Sequence, residues 1–114
     1  MNITKALADE NRVRILLALS SRGELCVCQL IDMLQLAPST VSKHLFILRN
    51  ARLLNTRKEG RWMYYRLNTN GTPPAVNGAL DWVIRSVADD PLAREDGARL
   101  DAILSEPVES KCGS

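Results

Sequence analysis

Apolar residues recur at helical spacing along most of this chain, and a single stretch in the middle switches to the two-residue period of a strand. Ile3 and Leu7 mark a short helix over residues 2–8. Asp9 is placed to cap a second helix reaching about Leu19, because its carboxylate can accept from the unpaired N–H groups of the first turn. Val13, Leu16 and Leu17, with Ile15 and Leu19 off the stripe, make that helix apolar over much of its surface and therefore central. SSRGE breaks it. A third helix is expected from about Leu25 or Cys26 to Leu34, burying Val27, Leu30, Ile31 and Leu34, and Gln35-Leu36-Ala37 turns the chain into a fourth. The fourth opens at Pro38, a residue suited to a first helical turn. Val41, Leu45, Leu48 and the Leu53/Leu54 pair fall near one side, while Ser39, Thr40, Ser42 and Lys43 crowd the other.

Beyond Leu54 the period changes. Asn55–Lys58, a Glu59-Gly60 turn and Arg61–Leu67 read as a β-hairpin with Trp62, Tyr64 and Arg66 on one face and Met63, Tyr65 and Leu67 on the other. NTNGTPP is a linker, and helix resumes near Ala75. There Val76, Leu80, Val83, Ile84 and Val87 form a stripe with little left to cover in so small a domain, so with Ile3 and Leu7 it predicts a dimer face. Asp89-Asp90-Pro91 ends or kinks that helix, residues 92–104 carry a weaker amphipathic pattern, and 105–114 read as a flexible tail. Two helices joined by a short turn, with a hairpin behind them, predict a mainly α winged helix-turn-helix fold with a β-hairpin wing. The expectation is one domain over residues 1–104, with terminal dimerisation helices, acting as a homodimer.

Charge sharpens this picture. Net charge is +2, but residues 38–67 hold seven Lys or Arg against one acid, a local +6, and the remainder is −4. The basic character is concentrated on the reading segment, which comprises the helix that would enter a DNA groove, where short hydroxyls can reach phosphates and base edges, and the hairpin behind it. Arg57, Lys58 and Arg61 at the wing tip suit contacts to the sugar-phosphate backbone. No apolar run approaches membrane-spanning length and the first residues lack a signal-peptide core, so the expected setting is cytoplasmic with no membrane partner.

ALADENRVRILLAL, ELCVCQL, STVSKHLFILRNARLL and EGRWMYYRL, in this order, resemble the ArsR/SmtB family of bacterial metal-responsive winged-helix repressors. The resemblance implies a homodimer that binds palindromic double-stranded operator DNA and releases it when a toxic metal or metalloid binds. The implied reading residues are Ser39, Thr40, Ser42, Lys43 and His44, with Arg57, Lys58 and Arg61 as backbone contacts. His44, the sole histidine, lies between the buried and exposed faces, which suits a structural or phosphate-contacting ring better than a metal ligand.

ELCVC is similar to the family's dithiol site at the start of the helix preceding the recognition helix. On an ideal helix Cys26 and Cys28 would point about 200° apart, so sharing one ion would require a distorted first turn and would disturb the neighbouring recognition helix. Zinc and cadmium usually take four ligands, whereas trivalent arsenic or antimony needs three thiolates. The family's arsenic sensors carry a third Cys where this chain has Ile31. Cys112 can replace it: eight residues of extended chain beyond Leu104 reach at most roughly 26 Å. Alternatively two protein thiols suffice, completed by a small thiol or an organic substituent on the arsenic. The expected inducer is thus trivalent arsenic or antimony on Cys26, Cys28 and Cys112, with no catalytic cofactor. A thiol redox switch or a cadmium- or zinc-responsive repressor of the same fold is the alternative. A thiol enzyme is disfavoured, since no anion-cradling loop or base flanks the cysteines.

Overall fold

The computed structural model describes residues 6–68, 74–87 and 89–106 of the 114. The first five residues, with Ile3, and the tail from residue 107, with Cys112, lie outside that set. Helix α1, Glu10–Arg22, starts where Asp9 accepts from the N–H groups of Asn11 and Arg12 at 2.8 and 3.3 Å. It ends at Gly23, whose φ of 87° turns the chain sharply into an extended segment and suits a residue without Cβ.

That extended segment corrects the sequence expectation. Glu24–Cys26 form a strand, β1, and the next helix, α2, begins only at Val27 and runs to Leu34. β1 lies antiparallel to a strand forty residues further on, with Glu24 opposite Arg66, Leu25 opposite Tyr65 and Cys26 opposite Tyr64. Gln29 Oε1 accepts from the Cys26 N–H at 2.8 Å, which fixes the strand-to-helix corner. Gln35 closes α2 in the left-handed region, φ 57°, with its N–H on the Ile31 carbonyl at 3.0 Å.

Helix α3, Pro38–Asn50, carries Pro38 in its first turn. It is shorter than the pattern suggested. Arg52 takes φ 63° and the Leu53 N–H turns back to the Leu48 carbonyl, so Leu53 belongs to the connection and Leu54 to the next strand. Strands β2 (Leu54–Glu59) and β3 (Trp62–Leu67) form the hairpin, and the sheet order is β1-β3-β2. Glu59 pairs with Trp62 across a two-residue Gly60-Arg61 loop in which only Gly60 has positive φ, the requirement of a II′ turn.

Helix α4, Pro74–Val87, and helix α5, Pro91–Leu104, complete the chain, the latter capped by the Asp90 carboxylate on the Leu92 N–H. The α4 stripe is largely used within the protomer: Leu80 is buried, and Val76 and Ile84 pack on the core. What α4 leaves outside is Trp82, 69% exposed. The core itself joins Ile15, Leu16 and Leu19 of α1 to Leu30 and Met33 of α2, Val41, Leu45 and Leu48 of α3, and Leu100 and Ile103 of α5.

Charged pairs fasten α5. Arg14 donates from Nε and Nη2 to both carboxylate oxygens of Asp96 at 2.8 Å, with both side chains mostly buried. Arg22 donates to Asp101 at 2.7 Å and to the Gly97 carbonyl at 3.1 Å, and Arg99 donates to the Met33 carbonyl near the end of α2 at 2.9 Å. These pairings lay α5 alongside α1 in the same direction and fasten it to the C-terminal end of α2.

Candidate nucleic-acid interface and thiol site

The buried flank of α3 (Val41, Leu45, Leu48) fixes which side faces out, and Ser39, Thr40, Ser42 and Lys43 are all exposed on it. The N-cap residue, Ala37, provides no side-chain acceptor, which leaves the positive end of the helix turned toward an outside anion. Ser39, Thr40 and Lys43 also border a concavity of about 510 Å³ whose inner wall is Asp9, Arg12 and His44.

His44 is placed differently from the hydroxyl residues. It is 9% exposed, and Arg12 Nη1 lies 3.1 Å from its Nδ1. A guanidinium can only donate, so Nδ1 is the acceptor of this contact, and the other ring nitrogen, Nε2, lies 4.0 Å from Asp9 Oδ1. Arg12 Nε donates in turn to the Ala6 carbonyl at 3.1 Å. This chain of contacts seats α3 on the start of α1 and places His44 behind the exposed polar face of that helix. Sequence reading missed Arg12, although it shares the α1 side of Ile15, Leu16 and Leu19, where a cation is rarely buried unless it is paired.

The wing separates its three expected contact residues. Lys58 and Arg61 are exposed, the latter stacked over Trp62 at 4.9 Å. Arg57 is held by its own fold: it makes three contacts of 2.7–3.1 Å with the Glu24 carboxylate, another of 2.9 Å with Glu59, and stacks over Tyr64 at 4.7 Å. The Arg57 guanidinium keeps the Glu24 carboxyl below its ordinary value of 4.5. Arg57 thereby ties β1 to β2 across the β3 strand.

The two cysteines meet at the other end of β1. Because Cys26 is the last extended residue and Cys28 sits in the first helical turn, their Sγ atoms are 3.6 Å apart instead of pointing to opposite sides. The distortion that the helical reading demanded is already present as the strand-to-helix corner. Two sulfurs on one tetrahedral ion with bonds of about 2.3 Å would stand about 3.8 Å apart, so the spacing fits a shared soft ion once Cys28, which is disulfide-bonded in the structure, is reduced to the thiol. Cys26 is fully buried and Cys28 half-buried, which gives the site one open side. Among the described residues no group of three or more His, Cys, Asp or Glu is assembled for a metal. Burial pushes the adjacent Tyr65 phenol above its ordinary 10.0.

Comparison with known proteins places this arrangement. The family model described as "Bacterial regulatory protein, arsR family" matches residues 9–56, which run from the α1 cap through α3 into β2. The Arsenic resistance transcriptional regulator ArsR1 of Pseudomonas putida is 40% identical over 87 residues, 76% of this chain and 64% of that protein. The Arsenical resistance operon repressor of Bacillus subtilis is 42% identical over 76 residues, 67% of this chain and 69% of the repressor. Among solved structures, HlyU from Vibrio cholerae superimposes with a TM-score of 0.65 at 34% identity, covering 77% of this chain and 90% of that one. The chain thus spans a little under two thirds of the Pseudomonas regulator, and nearly all of the HlyU chain. Shared sequence through the helix-turn-helix, together with a shared winged fold over most of the chain, makes this protein a member of the arsR family of bacterial regulatory proteins.

Proposed function

We propose that this protein is a homodimeric transcriptional repressor whose α3 and wing bind operator DNA, and that trivalent arsenic or antimony held by Cys26 and Cys28 releases it. The observation that carries the proposal is the 3.6 Å approach of the two sulfurs at the corner between β1 and α2. Cys112, on the tail that follows α5, would be the third sulfur; the reach of at most roughly 26 Å that eight extended residues beyond Leu104 allow supports it. A bound metalloid supplies a rigid clamp between the thiolates.

The residues around the corner supply the coupling. α2 packs directly on α3, and β1 is locked to the wing by the β3 ladder and by Glu24–Arg57. Any adjustment at Cys26 therefore reaches both DNA-contacting elements. Release requires only that the ligand favour one arrangement of that corner over the other. For dimerisation, the exposed Trp82 and the adjoining half-buried Val83 on α4 form the free apolar surface.

The test is fluorescence anisotropy on a labelled fragment of the gene's own upstream DNA, titrated with arsenite in reducing buffer. Wild type should bind and be released. Cys26→Ser and Cys28→Ser should bind equally well and stay bound. Loss of DNA binding in either variant would refute the separation of sensing from reading. Release of Cys112→Ser at wild-type arsenite would remove the tail from the site. Release by peroxide and not by arsenite would make the pair a redox switch.

A further inference from the structure

Phe46 is 63% exposed, and it lies on the side of α3 that faces away from the protein. A single exposed apolar side chain is unremarkable in itself. Its position sets this one apart. Ser39, Ser42, Lys43, Phe46 and Arg49 are spaced at three and four residues, which puts them on one stripe, and every member is exposed. Phe46 is thus the apolar centre of a stripe with a cation one turn before it and another one turn after.

A protein partner is a poor match for a lone ring between two cations. The major groove is a good one, because Lys43 and Arg49 can hold the phosphates on either side while the ring reaches the base edges. From Ser39 to Phe46 the helix rises about 10 Å, within a groove about 12 Å wide. The apolar group that a base pair presents there is the C5 methyl of thymine. Resting on the reading of α3 as the DNA-contacting helix, we infer that Phe46 is a specificity-determining residue that packs on a thymine methyl in the operator half-site. Ser39, Thr40 and Ser42 give the helix hydrogen bonds that several base pairs could accept; Phe46 adds a requirement that cytosine and guanine do not meet.

The full chain is first taken through binding-site selection on random duplex DNA. The selected duplex is then rebuilt with each thymine replaced in turn by uracil, which removes the methyl and nothing else. Wild type should lose about fourfold in affinity at one position of the half-site, the equivalent of one buried methyl. Phe46→Ala should bind the thymine duplex correspondingly more weakly and show no difference between thymine and uracil, while Phe46→Leu keeps part of the difference. Because the side chain is exposed, both variants should retain the wild-type circular dichroism and unfolding midpoint. Indifference of the wild type to uracil at every position overturns the inference while leaving the repressor reading intact. So does an equal loss by Phe46→Ala on both duplexes, or a change in its oligomeric state. Failure of the wild type to select any duplex overturns the inference together with the DNA-binding role of α3.

Discussion

The basic residues of α1 and α5 and those of the reading segment have opposite fates. Arg14, Arg22 and Arg99 each end on a carboxylate or a carbonyl of another helix. Lys43, Arg49, Lys58 and Arg61 are exposed and, among the described residues, form no ion pair. The same residue types at similar density therefore serve docking in one region and wait for an outside anion in the other. A count of net charge, +2, hides both facts. What separates the regions is where the acids lie: Asp96 and Asp101 face α1, whereas residues 38–67 contain Glu59 alone.

The largest expected effect falls on the docked side. Removing Asp96 leaves the Arg14 guanidinium buried against α5 without its bidentate partner, and breaking such a pair costs about 3 kcal/mol. Asp96→Ala should lower the urea midpoint accordingly, and Arg14→Met combined with Asp96→Leu should recover most of the loss. A loss below about 1 kcal/mol would rank the pair with ordinary surface salt bridges and erase the contrast. On the reading side the sign of the experiment reverses. Lys43→Ala should change stability by less than about 0.5 kcal/mol, yet weaken DNA binding across sequences and reduce the salt slope by about one. A stability change comparable to that of Asp96→Ala would show that Lys43 is a structural cation after all.

This contrast also separates what the sequence made legible from what it did not. Asp9 as a cap, the flank Val41–Leu45–Leu48 and the polar side of α3 could be read because each depends on residues within two turns of one another. The docking of α5 could not, because Arg14 and Asp96 are 82 residues apart and only the fold brings them together. β1 was missed for a related reason. Three residues are too short to display a period, and they are a strand because β3 pairs with them. That omission changed the chemistry, since a helical start for Cys26 put the sulfurs on opposite sides and the extended Cys26 puts them together. Phe46 carried a readable signal, an aromatic on the polar side of an amphipathic helix, but hydrophobic patterning assigns such residues to the core by default.

Arg57 is the exception to the contrast, a reading-segment cation that is nevertheless paired, and it gives the smallest and most specific prediction. Its hydrogen bonds hold the Glu24 carboxyl below 4.5, so the folded state favours the ionised form. The stabilisation from this pair is therefore complete above about pH 4.5 and fades as pH falls through the lower folded-state value. Urea unfolding of wild type and Glu24→Gln, compared between about pH 3 and pH 6, should show a small wild-type advantage at the upper end that shrinks toward the lower end. The pair is exposed, so added salt should shrink it too. At neutral pH the same variant detaches Arg57 from β1, and the wing should then gain one cation for the phosphates: DNA affinity should rise slightly and its salt dependence steepen. If the wild-type advantage does not vary with pH, Glu24 does not hold Arg57 in solution, and Arg57 rejoins Lys58 and Arg61 as a backbone contact. If it varies as expected but DNA binding is unchanged, the Glu24–Arg57 tie fastens the sheet without gating the wing, and coupling from the thiols must pass through α2 to α3.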